Sequence, residues 1–556
     1  MAANDVNSSD VNGECGRLYL AALKGDWNSI EDMTNIQRPI SRKEETTLHI
    51  AAAANHEDFV KKLLSWMTSN SCNLKDVNKA GNTALTYAAA AGNVKIAEVM
   101  LEKDNELPNE GSGVKPLVMA ASLGHRQMVE LLYSKTMIDT SEQVDIFINC
   151  VRKDIYGVAL KMLNDNSNLA TATNSDGETA LHVLARKPSA FVNESQLGVL
   201  RRHINITWLK SKQENSKHSQ VNELLKKCLQ GYRGDVENSN ETPVISYVLF
   251  EAAEVGNIEF LVKLICFDFD LLWTTIDKKS IFHIAVEKHH ESIFKLFNEI
   301  GSIGDLIVDG LFEDESNILH LAAKLAPQEK LNAISGAALQ MQQELLWFKE
   351  VEKAVKPAFQ EMKNTKGETP YDLFASNHEN LRKEGEKWMM NTAKSSMVVA
   401  TLIGTIVFSD QAVDKSNLSP KLFLAYSISS AIALFGSSTS LIMFLAILIS
   451  RYSYEDFVVR LPIRLMIGVT SLFISIAAMM VVFSTSFWLR NINHQELSLI
   501  FVVIGLFACV PILYLLIKYR LLVDILQSTF FQFQPQHLLL KASYAPLCSG
   551  NPTPAA

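Results

Sequence analysis

Thirteen histidines and seven cysteines are the side chains of this 556-residue sequence best suited to hold a metal ion or move a proton. Four of the histidines recur in one setting: His49 in TLHIAAAA, His182 in ALHVLAR, His283 in IFHIAVE and His320 in ILHLAAK. His289 and His290, in EKHHES, adjoin each other, but no cysteine and no second HxxxH lies near them, so a solvated turn is expected. The cysteines at 15, 72, 150, 228, 266, 509 and 548 are odd in number and form no CxxC, so neither a zinc knuckle nor a disulfide framework is suggested, and a reduced, cytosolic setting fits them. GxxxxGK, GxSxG and the kinase motif set are all missing. No enzyme activity, cofactor or metal is expected.

What positions the four histidines is a repeat. The apolar residue at the marker position falls at Leu18, Leu48, Leu85, Leu117, Ile148, Leu181, Leu249, Phe282 and Leu319. The intervals are 30, 37, 32, 31, 33, 68, 33 and 37, so all but one lie near a single period and the 68 is about two, as if one unit were eroded or replaced. Each unit reads as a short Ala-rich helix, a turn such as AAAAGNV or AASLGHR, and a second amphipathic helix. No unit can bury its apolar face alone, so the units must stack into an all-α solenoid.

The cadence resembles the ankyrin repeat, in which a T-P-L-H element opens the first helix. The resemblance implies that His49, His182, His283 and His320 hydrogen-bond to backbone and are structural rather than metal ligands. The expected organisation is a disordered start over 1–12, repeats over 13–186, a polar insertion over 187–243, repeats over 244–330, and capping helices with a degenerate last repeat over 331–394. In the insertion, Val221, Leu224, Leu225, Cys228 and Leu229 form one helical stripe packed on the array, with flexible loop around it. Beyond the last full unit, Met341, Leu345, Phe348 and Val355 line a longer capping helix that Pro357 ends.

Charge divides the chain in two. Of 52 basic and 60 acidic residues, nine and six lie beyond Lys394, which leaves the first 394 residues with a net of about −11. Such a half offers no basic face to a phosphate backbone, and nucleic acid is not an expected partner. The remainder, 395–526, is apolar, followed by a disordered tail over 527–556. Charge-free runs of 29, 25 and 21 residues span 422–450, 465–489 and 497–517, each long enough to cross a bilayer. A fourth run near 393–410 has only fifteen charge-free residues, about 22 Å of helix against about 30 Å of hydrocarbon. Four spans with both termini cytoplasmic put nine basic residues inside and three outside, in keeping with the positive-inside bias; three spans do not. The first run is therefore expected to cross, with Trp388 to Lys394 as the joint between array and membrane. Ala425, Ser429, Ala433 and Ser437, four apart, are expected to pack helices within the bundle or between copies in a homo-oligomer.

The succession SNILHLAAKLAP, LQMQQELLWFKEVEKAV, KGETPYDLF and EGEKWMMNTAKSSMVVATLIGTIVF, then further spans, resembles the plant ankyrin-repeat family with a C-terminal PGG domain. The resemblance implies four membrane helices, of which MVVATLI lies in the first. It also implies kinship with the accelerated-cell-death protein of plant defence and with regulators of salt and oxidative stress, at the plasma membrane or other endomembranes. Where that family carries Pro-Gly-Gly, this chain has SDQAVDKSNLSPKLF, with Pro420 alone. The function so implied is an adaptor that binds proteins through its solenoid and lipid through its bundle. The rival is a subunit of an oligomeric, calcium-permeable cation channel. An ankyrin palmitoyltransferase would need a DHHC loop, and RYSYEDFVVRLPIR has no cysteine.

Overall fold

In several units the first helix is stopped by a residue that accepts a left-handed backbone. Helix α4 (Ala84–Ala91) ends at Gly92, φ 74°, and α6 (Pro116–Leu123) at Gly124, φ 88°, where glycine avoids the Cβ clash. The second helices α5 (Val94–Lys103) and α7 (Arg126–Tyr133) begin at once after these turns. The computed structural model describes residues 3–191, 211–235, 244–312, 314–410, 420–491 and 523. The described residues fall into two units, divided between 271 and 272.

The first unit comprises α1 (Ala3–Lys24), α2 (Thr47–Ala53), α3 (Glu57–Ser69), α4 to α7, α8 (Thr140–Arg152), α9 (Tyr156–Asp165), α10 (Ala180–Ala185), α11 (Ser211–Asp235), α12 (Val244–Val255) and α13 (Ile258–Phe267). First helices stack in order, α2 on α4, then α6, α8, α10 and α12. Marker residues Leu48, Leu85, Leu117, Ile148, Leu181 and Leu249 are all buried in these stacks, each burial stabilising by about 1.5–3 kcal/mol.

Two expectations are corrected here. Residues 3–12, expected to be disordered, prolong α1, whose packed end holds Leu18, Ala21 and Ala22; no proline interrupts the backbone ladder between them. The 68-residue interval hides no lost unit in the stack, because α10 packs directly on α12. Asn257 Nδ2 donates to the carbonyls of Leu184 and Ala185 at 3.1 and 2.9 Å across that contact. Of the extra residues, Ser211–Asp235 form α11. Its stripe Val221, Leu224, Leu225, Cys228 and Leu229 is buried against α9 and α10.

The second unit begins with α14 (Ile281–Glu287), α15 (Glu291–Ile300), α16 (Ser302–Ile307), α17 (Ile318–Ala322) and α18 (Gln328–Asn332). Then come α19 (Ala337–Ala354), α20 (Ala358–Glu361), α21 (Pro370–Asp410), α22 (Pro420–Leu448), α23 (Tyr454–Val458) and α24 (Arg460–Asn491). Among the described residues no strand forms, only isolated antiparallel bridges such as Val77 with Thr83.

The degenerate repeat, the charged RKEGEKW and the short apolar run are one helix. α21 is 41 residues long, with Pro370 at its start and no proline inside it. Phe374, His378, Leu381, Gly385, Met389, Ala393, Ala400, Ile403 and Val407 form a single buried stripe along it, at steps of three, four or seven residues. The shortness of the apolar run is thereby explained: the helix extends well past Lys394, and the run is only its last part.

Three helices, within Pro370–Ser409, Phe423–Leu448 and Arg460–Phe487, are long and apolar enough to cross a membrane. The run 497–517 and the tail 527–556 lie outside the described residues. α22 packs on both α21 and α24. Of the small-residue ridge, Ala433 and Ser437 are buried, Ser429 is half-buried and Ala425 is exposed. The buried stripe is Tyr426, Ser430, Ala433, Ser437, Ser440, Phe444 and Ile447, because alternating steps of four and three hold one face whereas repeated steps of four wind off it.

Candidate functional site

Each of the four repeat histidines stands at the third position of a helix and closes a capping box with the residue before that helix: Thr46 with His49, Thr179 with His182, Ser280 with His283, Asn317 with His320. The backbone N–H of each cap donates to the imidazole Nδ1 at 3.1–3.2 Å. Nδ1 therefore carries no proton, and Nε2 must. His49 uses that Nε2–H to reach the Asn82 carbonyl at 3.0 Å, and His320 reaches the Glu368 carbonyl at 3.2 Å, each in the following repeat. His283 has no such acceptor and lies edge-on to Phe312, ring centroids 5.3 Å apart. Burial pushes the His283 imidazole down to about 4, and lowers those of His49, His182 and His320 as well. With both nitrogens so committed, His49 and His320 tie one repeat to the next.

A second row of ties, absent from the sequence reading, sits at the turns between paired helices. His56 Nε2 donates to the Leu23 carbonyl at 2.8 Å, and His125 Nε2 to the Ala90 carbonyl at 2.9 Å. The signal was present in the aligned dipeptides Asn-His, Gly-Asn, Gly-His, Gly-Asn and His-His at 55, 92, 124, 256 and 289. His289 corrects the expectation of a solvated turn: it is 8% exposed and stacks on Trp347 of α19, centroids 5.4 Å apart. Its neighbour His290 meets Lys330, whose ammonium donates to Nδ1 at 3.1 Å. The apolar Trp347 face, the Lys324 carbonyl just after α17 and Glu344 of α19 draw the His289 ring inward.

Exposed apolar side chains stand on the connections of the first unit. Val77, Val114 and Met137, on three successive connections, are 42%, 44% and 74% exposed. Val77 and Val114 flank the glycine loops of their connections, where Gly81 and Gly113 pack so closely that the Asn82 side chain accepts from the Val114 N–H at 2.8 Å. Cys150 and Cys228 are buried thiols pushed up to about 12 by desolvation, which leaves them unreactive. Among the described residues no three of His, Cys, Asp and Glu are arranged to hold a metal ion.

The joint at the end of the repeats is built from α19, α21 and the short loop helix α23. Trp388 is half-buried against Gly336, whose absent side chain leaves room for the indole, and Lys394 is exposed. No break marks that segment: α21 passes through it. Gly385 brings α21 close to the Ala338 backbone and to Phe457, where an added Cβ would stand 3.2 and 3.1 Å away. The loop joining α22 to α24 is thereby clamped. Gln342 Nε2 donates to the Val458 carbonyl at 2.7 Å, and the Tyr454 hydroxyl to the Ala375 carbonyl at 3.0 Å. Arg382 reaches the Tyr452 carbonyl at 3.3 Å, and Lys349 pairs with Glu455 at 2.9 Å. α19 is packed by α17, α21 and α23, which is why Ala338, Met341, Gln342, Leu345 and Phe348 are all buried.

Comparison with known proteins meets the same repeats. A family model described as ankyrin repeats (3 copies) matches residues 18–110 and 48–146. Among solved structures, the human ASB11 ankyrin repeat domain is similar at 23% sequence identity, over 30% of this chain and 76% of that one, with a TM-score of 0.25. The chain carries ankyrin repeats, and its C-terminal part carries apolar helices of membrane-spanning length.

Proposed function

We propose that this chain is a membrane-anchored, non-enzymatic adaptor whose ankyrin repeats bind partner proteins on the cytoplasmic side and hold them at a bilayer. The observation that carries the reading is α21, which begins in the last degenerate repeat and ends as an apolar helix of the bundle. The last repeats of the second unit thus run into an apolar helix without interruption. The exposed Val77, Val114 and Met137 supply an apolar component for partner contact, which suits a solenoid that binds along an extended face rather than in a pocket.

The resemblance to the plant PGG family supports a fourth span near 497–517, both termini in the cytoplasm, and a place in defence or stress signalling at the plasma membrane or the endoplasmic reticulum. The loop 411–419, which lacks Pro-Gly-Gly, lies outside the described residues, and any property tied to that turn is not carried over. The adaptor reading ranks above a cation channel because small polar side chains of the bundle are turned onto neighbouring backbone. Ser475 Oγ donates to the Ala433 carbonyl at 2.7 Å and Ser440 Oγ to the Gly468 carbonyl at 3.0 Å. Hydroxyls used in this way do not line an ion path.

Proximity labelling in plant cells, with the full chain and with a V77D/V114D/M137D variant, tests the reading. The same membrane fraction with a distinct set of labelled proteins lost in the variant is expected. Identical labelling by both, or reproducible selective currents from the purified chain in planar bilayers, overturns it.

A further inference from the structure

The turn between paired helices is made by Gly92, Gly124 and Gly256 in three units, by Asn55 and Asp154 in two, and by His289, φ 54°, in the unit of α14 and α15. The turn itself does not require an imidazole. The ring nonetheless points inward: Nε2–H donates to the Lys324 carbonyl at 3.2 Å, so that Nδ1 presents its lone pair 3.5 Å from Glu344 Oε1. Glu344, on α19, is 3% exposed. Its Oε2 accepts from the Ala326 N–H and meets His378 Nε2, both at 3.0 Å. His378, on α21, is fully buried, stacks on Phe374 and directs Nδ1 at the Phe374 carbonyl, 2.9 Å away. A carbonyl only accepts, so Nδ1 of His378 carries hydrogen, and the Nε2 to Oε2 contact needs another proton on one side or the other. Glu344 and His378 together thus hold one proton more than a neutral ring beside an ionised acid.

Glu344 stands between two imidazoles, one from the turn of a repeat and one from the helix that enters the bundle. The charged groups around them come from every neighbouring element. Lys330 of α18 donates to the His289 carbonyl at 2.6 Å and to His290 Nδ1. Lys295 of α15, Lys330 and Glu350 of α19 act on Glu291 of α15, and Glu291 and Glu344 act on Lys330. We propose that His289, Glu344 and His378 form a proton-sensitive latch between the repeats of this unit and α21, closed while Glu344 and His378 share one proton and opened when His289 takes up a second.

Burial is the largest effect on His289 and holds its imidazole below the usual range; the Glu344 charge opposes this, while Lys330 and His378 reinforce it. The closed latch therefore resists protonation and the open one accepts it. The stability lent by the neutral ring is complete above the ordinary imidazole value, about 6.5, and is lost as the pH falls below it. The inference holds whatever protein the repeats bind.

Hydrogen–deuterium exchange of the full chain in lipid nanodiscs at pH 7.5 and 5.8, corrected for intrinsic rates, tests it. Peptides over 286–295 and 370–387 are expected to exchange at least about threefold faster at the lower pH. The variant H289N, whose side chain suits the left-handed turn, is expected to lose that acceleration, and E344Q to exchange fast at both pH values. Wild-type exchange that does not change with pH overturns the latch, and so does equal acceleration in H289N. The wild-type reading stands by itself should a variant fail to fold.

Discussion

Gln342 and Val458 are 116 residues apart and joined by a 2.7 Å hydrogen bond from the buried Nε2 of one to the carbonyl of the other. Gln342 lies on the helix that follows the repeats, Val458 on the loop between two apolar helices. Replacing Gln342 with leucine keeps the volume and leaves the Val458 carbonyl without its donor, a loss of about 1–3 kcal/mol. Limited proteolysis at 451–460, in detergent-solubilised protein, is expected to speed up in Q342L and to remain slow in K349A, whose partner Glu455 is exposed.

Gly385 is the closest approach in that clamp. A valine there would press on Phe457 and on the Ala338 backbone, both near 3 Å from the new Cβ, and overpacking of this kind costs about 1–3 kcal/mol. Thermal unfolding of G385V is expected several degrees below the wild type. An unchanged midpoint would mean that the loop does not dock on α21.

Acid stability has a definite sign in the repeats. His283 is depressed to about 4 in the folded chain against 6.5 when exposed, so the unfolded chain takes its proton first. The contribution is complete above pH 6.5, falls by about 2 kcal/mol by pH 5, and is gone below pH 4. Urea midpoints measured from pH 7.5 to 5 are expected to drop, and the drop to shrink in H283Q.

Helix α11 is part of the packed array although its residues fall in a polar insertion. Leu225 is fully buried, and truncation to alanine is expected to destabilise by about 2–5 kcal/mol. Equilibrium unfolding of L225A checks this; a loss below about 0.5 kcal/mol, typical of exposed sites, would mean that α11 detaches.

Period and marker residues made the repeats legible, because stacking demands an apolar residue at the same place in every unit. The stripe Val221 to Leu229 was legible for the same reason. What escaped was non-local. Nothing in EKHHES shows that Trp347 and Glu344 wait to receive His289, and a run of fifteen charge-free residues does not show that its helix began at Pro370. The ridge Ala425, Ser429, Ala433, Ser437 was read by residue size alone, whereas burial follows the winding of α22 about its neighbours.

The unbroken course of α21 is measured most directly by a distance along it. Lys383, with its side chain 64% exposed, and Phe408, 71% exposed, lie 25 residues apart on the helix. Spin labels introduced as unnatural residues at these two positions, in the full chain in nanodiscs, should give one narrow distance near 38 Å, the rise of a continuous helix at about 1.5 Å per residue. A broad distribution, or a main peak below about 30 Å, would contradict a rigid connection between the repeats and the membrane.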